Sequence, residues 1–267
     1  VYIHPDARIA DDVIIEPFTT IAADVEIGSG TWIGPNVTIM DGARIGKDCR
    51  IFPGAVISSV PQDLKYRGEK TTCVIGDRTT IHEGVTVSRG TQAAGTTRVG
   101  DDCLLMAYVH VAHDCILGNH VILANYVGLT GHCQVDDYAI IGGLAGTHQF
   151  TKIGAHAMIA GGTLIRKDVP PYTKAAKEPI SYIGVNSIGL HRRGFTATSI
   201  ACFTRAGTTF PRHWRSSNKP FLPPKNGTRS YVSSASRSAA SCADTPGAPI
   251  RTPKKNKQNF ITHTDSS

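Results

Sequence analysis

Aliphatic residues recur at every sixth position along most of this chain. From Ile3 the series reads Ile9, Ile15, Ile21, Ile27, Ile33, Ile39, Ile45, Ile51 and Ile57, resumes at Ile75, Ile81 and Val87, and runs again from Val99 to Ile165. Four places after each aliphatic slot stands a small or β-branched residue, as at Ala7, Val13, Thr19, Val25, Thr31, Val37, Ala43, Cys49 and Ala55. Gly, Asp and Asn gather just after the aliphatic slot. A helical period of about 3.6 would scatter these residues around a cylinder, and the strand period of two cannot give one large and one small inward residue per six. Short strands joined by tight turns can. Three such hexads close a triangular coil, and each coil buries its inward residues against the next, which is the logic of a β-solenoid.

Two interruptions break the ladder, residues 60–72 and 88–98, and loops ejected from a rigid scaffold commonly carry function. After Ile165 the paired prolines of Asp168-Val169-Pro170-Pro171-Tyr172 end the solenoid. The pattern therefore divides the chain into an all-β solenoid over 1–172, an irregular segment leading toward a helix over 173–196, and a stretch over 197–267 with no visible period. That last stretch is rich in Ser, Thr, Pro and Arg and lacks Glu.

Composition changes this picture little, with one exception. At 40 % hydrophobic and 7 % aromatic residues the core must be aliphatic. Cys49, Cys103, Cys115 and Cys133 fall on the small-residue slot and read as reduced core residues. No apolar run spans a bilayer and the N-terminus lacks the pattern of a targeting peptide, so a cytoplasmic protein without a transmembrane segment is expected. The net charge of +7 suggests nucleic acid until it is mapped: residues 197–267 hold eleven Lys/Arg against two acids, while the first 196 hold 17 Lys/Arg against 19 Asp/Glu. The basic character belongs to the tail, and no nucleic-acid partner is expected for the solenoid.

The chemistry concentrates in Leu104 to Cys115, where His110 and His113 lie three apart, followed by His132 and His148 in neighbouring coils. These four occupy slots other than the inward ones. Outward histidines suit two chemistries, a general base that deprotonates a hydroxyl or a metal shared between subunits.

The stretches Pro61-Gln62-Asp63-Leu64-Lys65-Tyr66, Val111-Ala112-His113-Asp114-Cys115, Gly131-His132, Ile140-Ile141-Gly142-Gly143, His148-Gln149-Phe150, Ile153-Gly154-Ala155-His156 and Arg192-Arg193-Gly194-Phe195 resemble, in order and spacing, the UDP-N-acetylglucosamine O-acyltransferases that begin lipid A synthesis. The resemblance covers residues 1–196. It implies a left-handed parallel β-helix that assembles as a homotrimer, uses no cofactor or metal, and transfers a 3-hydroxyacyl group from acyl carrier protein to the 3-hydroxyl of UDP-N-acetylglucosamine. By matched positions it implies His113 as general base, Asp114 as its orienting carboxylate and Gly131 as a backbone donor to the oxyanion. It further implies Asp63, Lys65, His110, His132, His148 and Gln149 around sugar and acyl chain, Gly161 at the end of the acyl groove, and Asn186, Arg192 and Arg193 at the nucleotide. Many family members have Glu where this chain has Ile188, which bears on the nucleotide contacts.

Three competitors remain. A later N-acyltransferase of the same pathway would carry an extra N-terminal uridine-binding domain, a γ-class carbonic anhydrase would use solenoid histidines on zinc, and a purely structural solenoid would lack ejected loops. The stretch after Thr196 departs from the helices expected by resemblance. Back-translation of Ala197 onward permits a Glu-containing, helically patterned string in a second reading frame, so the tail is expected to be frameshifted and to lack the helices that would help dock acyl carrier protein. An unbroken frame in independent reads of the gene would refute this.

Overall fold

The structure, a computed structural model, describes residues 1–208, with side chains through Thr204. The hexads become strands, most of them two residues long, that visit three sheets in turn: nine strands in the first, eight in the second and ten in the third. Strands of the solenoid pair in parallel at an 18-residue spacing, Ile3 with Ile21, Ile9 with Ile27 and Ile15 with Ile33, so three hexads make one coil. The result is the left-handed parallel β-helix that the resemblance implied. Ladder residues such as Ile33, Ile51, Leu105, Leu123 and Ile141 are fully buried on the prism axis, and the small slots, Ala43, Cys49, Ala55 and Ala139 among them, are buried beside them. The expected reduced cysteines are free and buried, with Cys73 in the same condition. Thr147 is a polar occupant of an aliphatic slot, and its hydroxyl lies 2.9 Å from the Thr130 N–H that it accepts and 3.2 Å from the Cys133 sulfur.

The corners explain what the solenoid can display. At many turns the third residue past the aliphatic slot adopts a left-handed backbone, for example Tyr108, Asp114, His120, Tyr126, His132, Phe150 and His156, with φ between 57 and 65°. Side chains other than glycine resist that conformation. Here each turn is tied to the coil before it by an N–H donated across the corner, as from His132 to the His113 carbonyl and from His156 to the Asp137 carbonyl. Stacked turns place their side chains in columns. One column is Tyr108 on Tyr126, another His120 on Tyr138 on His156, and a third His132 on Phe150, with centroids 4.4–5.0 Å apart.

Both interruptions leave the prism at one corner, between the first sheet and the second. The earlier connects strand Val56–Ser59 to Thr72–Ile75, and the later connects Thr86–Ser88 to Thr96–Val99. The second strands of these pairs begin sooner than the ladder suggested: Thr72 already pairs with Thr96, and Thr97 and Arg98 pair with Cys73 and Val74.

The segment 173–196 is more regular than its sequence implied. Strand Thr173–Ala176 extends the third sheet in parallel to Met158–Ile159, and Ser181–Val185 then folds back antiparallel. Helix α1, Ser187–Arg192, follows. The stretch from Ala197, for which composition offered no period, opens with helix α2, Ala197–Thr208. Its Phe203 packs with Val185 and Leu190 into a small second core closed by Tyr172, Phe195 and Ile200. Thr196 caps the helix, its hydroxyl oxygen accepting the Ser199 N–H at 3.2 Å. Ile200 and Phe203, three apart, share the face that the core needs. The rest of the tail expectation lies outside the described residues, and among the described ones no helix is long and apolar enough to cross a membrane.

Candidate functional site

His113 and Asp114 follow strand His110–Val111 at the corner from which both loops depart. The 18-residue coil sets three columns there: His110, Gly128 and Gly146 on the strand, His113, Gly131 and Gln149 entering the turn, and Asp114, His132 and Phe150 at its left-handed residue. One repeating backbone therefore presents a histidine, a bare backbone and an amide at one slot in successive coils.

Asp114 turns its carboxylate inward under the second loop, where the side chain is fully buried. One oxygen accepts the Thr91 N–H at 2.9 Å; the other accepts the Thr91 hydroxyl at 2.6 Å and sits 2.8 Å from His113 Nδ1. The Asp114 N–H in turn donates to the Thr97 hydroxyl oxygen at 2.8 Å. Burial pushes the carboxyl's pKa up, but the bonds from Thr91 and His113, with the nearby His132, outweigh it and hold the group below the usual carboxylate range. The His113 side chain, expected to point away from the prism, does leave the interior, yet it is only 7 % exposed because the next coil covers it. Gly131 supplies that cover: a methyl group there would lie 2.6 Å from His113 Cε1 and 2.8 Å from Nε2. Any side chain at 131 would displace the ring.

The remaining residues named from sequence fall into three groups. His132 meets His113 edge to face at 5.1 Å, its Nδ1 is 3.8 Å from the Asp114 carboxylate, and Phe150 stacks on it at 4.6 Å. His110 is half-buried with Nδ1 2.7 Å from the Thr86 hydroxyl, and burial, then the neighbouring His113, lowers its pKa. His148 and Gln149 are exposed one coil further on, joined by a contact of 3.2 Å between His148 Nδ1 and the Gln149 carbonyl. Asp63 and Lys65 lie in the first loop, where the Asp63 carboxylate accepts the Lys65 N–H at 2.9 Å.

Gly161, Asn186, Arg192 and Arg193 sit on other corners. Gly161 occupies the corner of Tyr108 and Tyr126, its missing side chain facing the Gly143 carbonyl at 3.0 Å. Asn186 is buried, capping α1 through Gly189 and donating to the His156 carbonyl at 3.0 Å. Arg192 is exposed, whereas Arg193 lies over the Tyr138 ring at 5.2 Å, with Nη1 3.4 Å from His156 Nδ1. Sequence reasoning missed Thr91 and Thr97, whose roles arise only when the loop folds back, and Thr86 beneath His110.

One group among the described residues could hold a metal ion. The ligand atoms of His113, Asp114 and His132 lie within 4.8 Å of one another. A metal there would have to break the His113–Asp114 bond and compete with both Thr91 donors, so the donor set fits an acid–base pair better than a metal centre.

Triangular coils of hexads with a histidine–carboxylate pair at a looped corner define a hexapeptide-repeat protein of the bacterial transferase type. Residues 24–59 and 96–131 match the family described as bacterial transferase hexapeptide, and residues 168–214 match UDP N-acetylglucosamine O-acyltransferase, domain 2. The UDP-N-acetylglucosamine acyltransferase from Bacteroides fragilis superposes with a TM-score of 0.78 at 42 % identity, over 93 % of this chain and 91 % of that one. That from Francisella novicida gives 0.76 at 42 %, over 78 % and 76 %. The chain belongs to the UDP-N-acetylglucosamine O-acyltransferase family. The curated acyl-carrier-protein–UDP-N-acetylglucosamine O-acyltransferase of Verminephrobacter eiseniae is 48 % identical over 146 residues, which are 54 % of this chain and 56 % of that protein. The chain thus spans little more than half the length of the curated relatives it matches. The second of the family matches runs past Thr196 and takes in α2.

Proposed function

We propose that this chain transfers a 3-hydroxyacyl group from acyl carrier protein to the 3-hydroxyl of UDP-N-acetylglucosamine, the opening step of lipid A synthesis, with His113 as general base. The observation that carries it is the bond of 2.8 Å between His113 Nδ1 and a buried, doubly hydrogen-bonded carboxylate. A carboxylate held ionised can only accept, so the proton sits on Nδ1 and the lone pair on Nε2. A sugar hydroxyl is a poor nucleophile near neutral pH. Nε2 takes its proton as the oxygen attacks the thioester carbonyl; the C–O bond forms, and the negative charge moves to the carbonyl oxygen. Gly131, whose backbone lies against the same edge of the ring, offers its N–H to that oxyanion. Collapse expels the carrier thiolate, which recovers the proton from Nε2, and the base is regenerated.

In this reading His110, His132, His148 and Gln149 line the first corner around sugar and acyl chain, with Asp63 and Lys65 reaching in from the first loop. Gly161, bare of side chain, leaves the acyl groove open to a long chain. Arg192 and Arg193 meet nucleotide phosphates, where a guanidinium fork suits oxygen anions, and Asn186 holds α1 in place beneath them. The corner has one wall in a single chain, so a homotrimer in the cytoplasm closes the groove with a neighbouring copy, and no cofactor is required. His113→Ala should lower turnover about 10²-fold or more, the usual range for loss of a general base. Turnover like that of the wild type in the folded variant would overturn the assignment.

A further inference from the structure

We propose that Thr91 is a positioning residue of the His113–Asp114 pair and that the second ejected loop exists to deliver it; the inference rests on the acyltransferase reading. Asp114 has two oxygens, and Thr91 meets both, with its N–H at 2.9 Å and its hydroxyl at 2.6 Å. The oxygen facing the hydroxyl is the one that faces His113 Nδ1. Thr91 is itself buried, as is Asp114, so water cannot replace the lost donor cheaply. A carboxylate pinned at both oxygens cannot rotate about its terminal torsion, and that rotation would otherwise let the imidazole swing away from the reacting hydroxyl.

Thr91 is anchored in turn. Gly90 donates its N–H to the Thr72 carbonyl at 3.0 Å and accepts the Thr71 hydroxyl at 2.6 Å. Arg89 donates its N–H to the Ser59 carbonyl at 3.0 Å, sends Nη1 to the Asp41 carbonyl at 2.8 Å, and lies over the Tyr66 ring at 5.9 Å. The segment Arg89-Gly90-Thr91 thus threads between the first loop, which carries Asp63 and Lys65, and the carboxylate that orients His113. The second loop leaves the prism one coil before Asp114, and its chain re-enters the sheet with Thr97 in place to accept the Asp114 N–H.

The experiment compares Thr91→Val, Thr91→Ala and Thr91→Ser with the wild-type full chain, using UDP-N-acetylglucosamine and a 3-hydroxyacyl carrier protein. Loss of the hydroxyl should lower kcat about tenfold or more with KM within about twofold, as expected for a misplaced base rather than a lost binding contact. Thr91→Ser should restore kcat. A folded Thr91→Val with wild-type kcat overturns the proposal, as does Thr91→Ser behaving like Thr91→Val. Should Thr91→Val not fold, Thr91→Ala decides by the same criteria. His113 ring nitrogen NMR supplies a readout independent of turnover: the Nδ1–H tautomer should dominate in wild type and Thr91→Ser and mix with the other form in Thr91→Val. An unchanged tautomer ratio overturns the positioning role even if the wild type proves inactive, while an inactive wild type with the expected tautomer shift overturns the acyltransferase reading alone.

Discussion

Two corners of the prism carry histidines at the same left-handed turn slot, and they use them oppositely. At the first corner His132 stands over the buried Asp114 carboxylate, with His113 bonded to that carboxylate. At the second, His156 is sandwiched between Tyr138 and Tyr172, and the charge beside it is the Arg193 guanidinium, 3.4 Å from Nδ1. Burial, then Arg193, drives the His156 pKa from 6.5 down to about 4, against a weak pull from Asp137. A cation beside His156 keeps it a neutral stacking plate, while the carboxylate bonded to His113 sets the tautomer that the proposed base needs. His132 and His156 share one backbone slot, so what differs between the two corners is the sign of the neighbouring charge. Tyr172 continues the second column onto Phe203 of α2 at 4.2 Å, which makes that corner the place where the solenoid grips its helical cap.

The comparison breaks most severely at Asp114. Asp114→Asn replaces an acceptor by an amide that can donate to Nδ1, which favours the tautomer with its lone pair on the wrong nitrogen; turnover should fall about 10²-fold or more, with the fold intact by circular dichroism. Activity within a few fold of wild type would mean that the carboxylate does not set the tautomer. At the other corner, Phe203→Ala removes a ring stacked on Tyr172 and should cost roughly 3 kcal/mol of stability, read from denaturant or thermal unfolding of the cap, while turnover of the folded protein at low temperature stays near wild type. A matching loss of turnover would show that the corners are not independent. The smallest effect is the titration of His156. Because its folded pKa lies below the unfolded one, the unfolded chain takes up this proton first; stability present above pH 6.5 is lost progressively as the pH falls to about 4. His156→Gln cannot titrate and should flatten that part of the melting temperature–pH curve. An identical slope in wild type and variant would assign the acid sensitivity elsewhere.

How far the sequence spoke for itself differs between these corners. The ladder gave the coil, its 18-residue closure and the buried slots, because one large and one small inward residue per six is a statement about local geometry. His113 and Asp114 were legible as neighbours in a motif, and adjacency in sequence is adjacency in space. Thr91 was not, because its loop obeys no period and meets Asp114 only through tertiary folding. The environment of His156 was equally hidden: Arg193 lies 37 residues away and arrives by way of an antiparallel strand and a short helix. Helix α2 escaped notice because Ser and Thr mask its propensity, while two residues, Ile200 and Phe203, suffice to dock it.

The coils and the loops also differ in how they tolerate insertions and deletions. Within a coil, an added residue would turn every later inward side chain of that strand out of the prism, and recovery would require five more residues or a complete turn of the backbone. Within residues 60–71 the chain answers to no such arithmetic, because only its two ends are held in the sheets, and closing a modestly longer excursion costs only tenths of a kcal/mol. The first corner is therefore where this molecule can accept new sequence without losing its shape, and it is also where the proposed site sits. Length variants of the first loop that keep Tyr66 against Arg89 and Thr71 on Gly90 can alter what reaches His113 while leaving the prism behind it as it is.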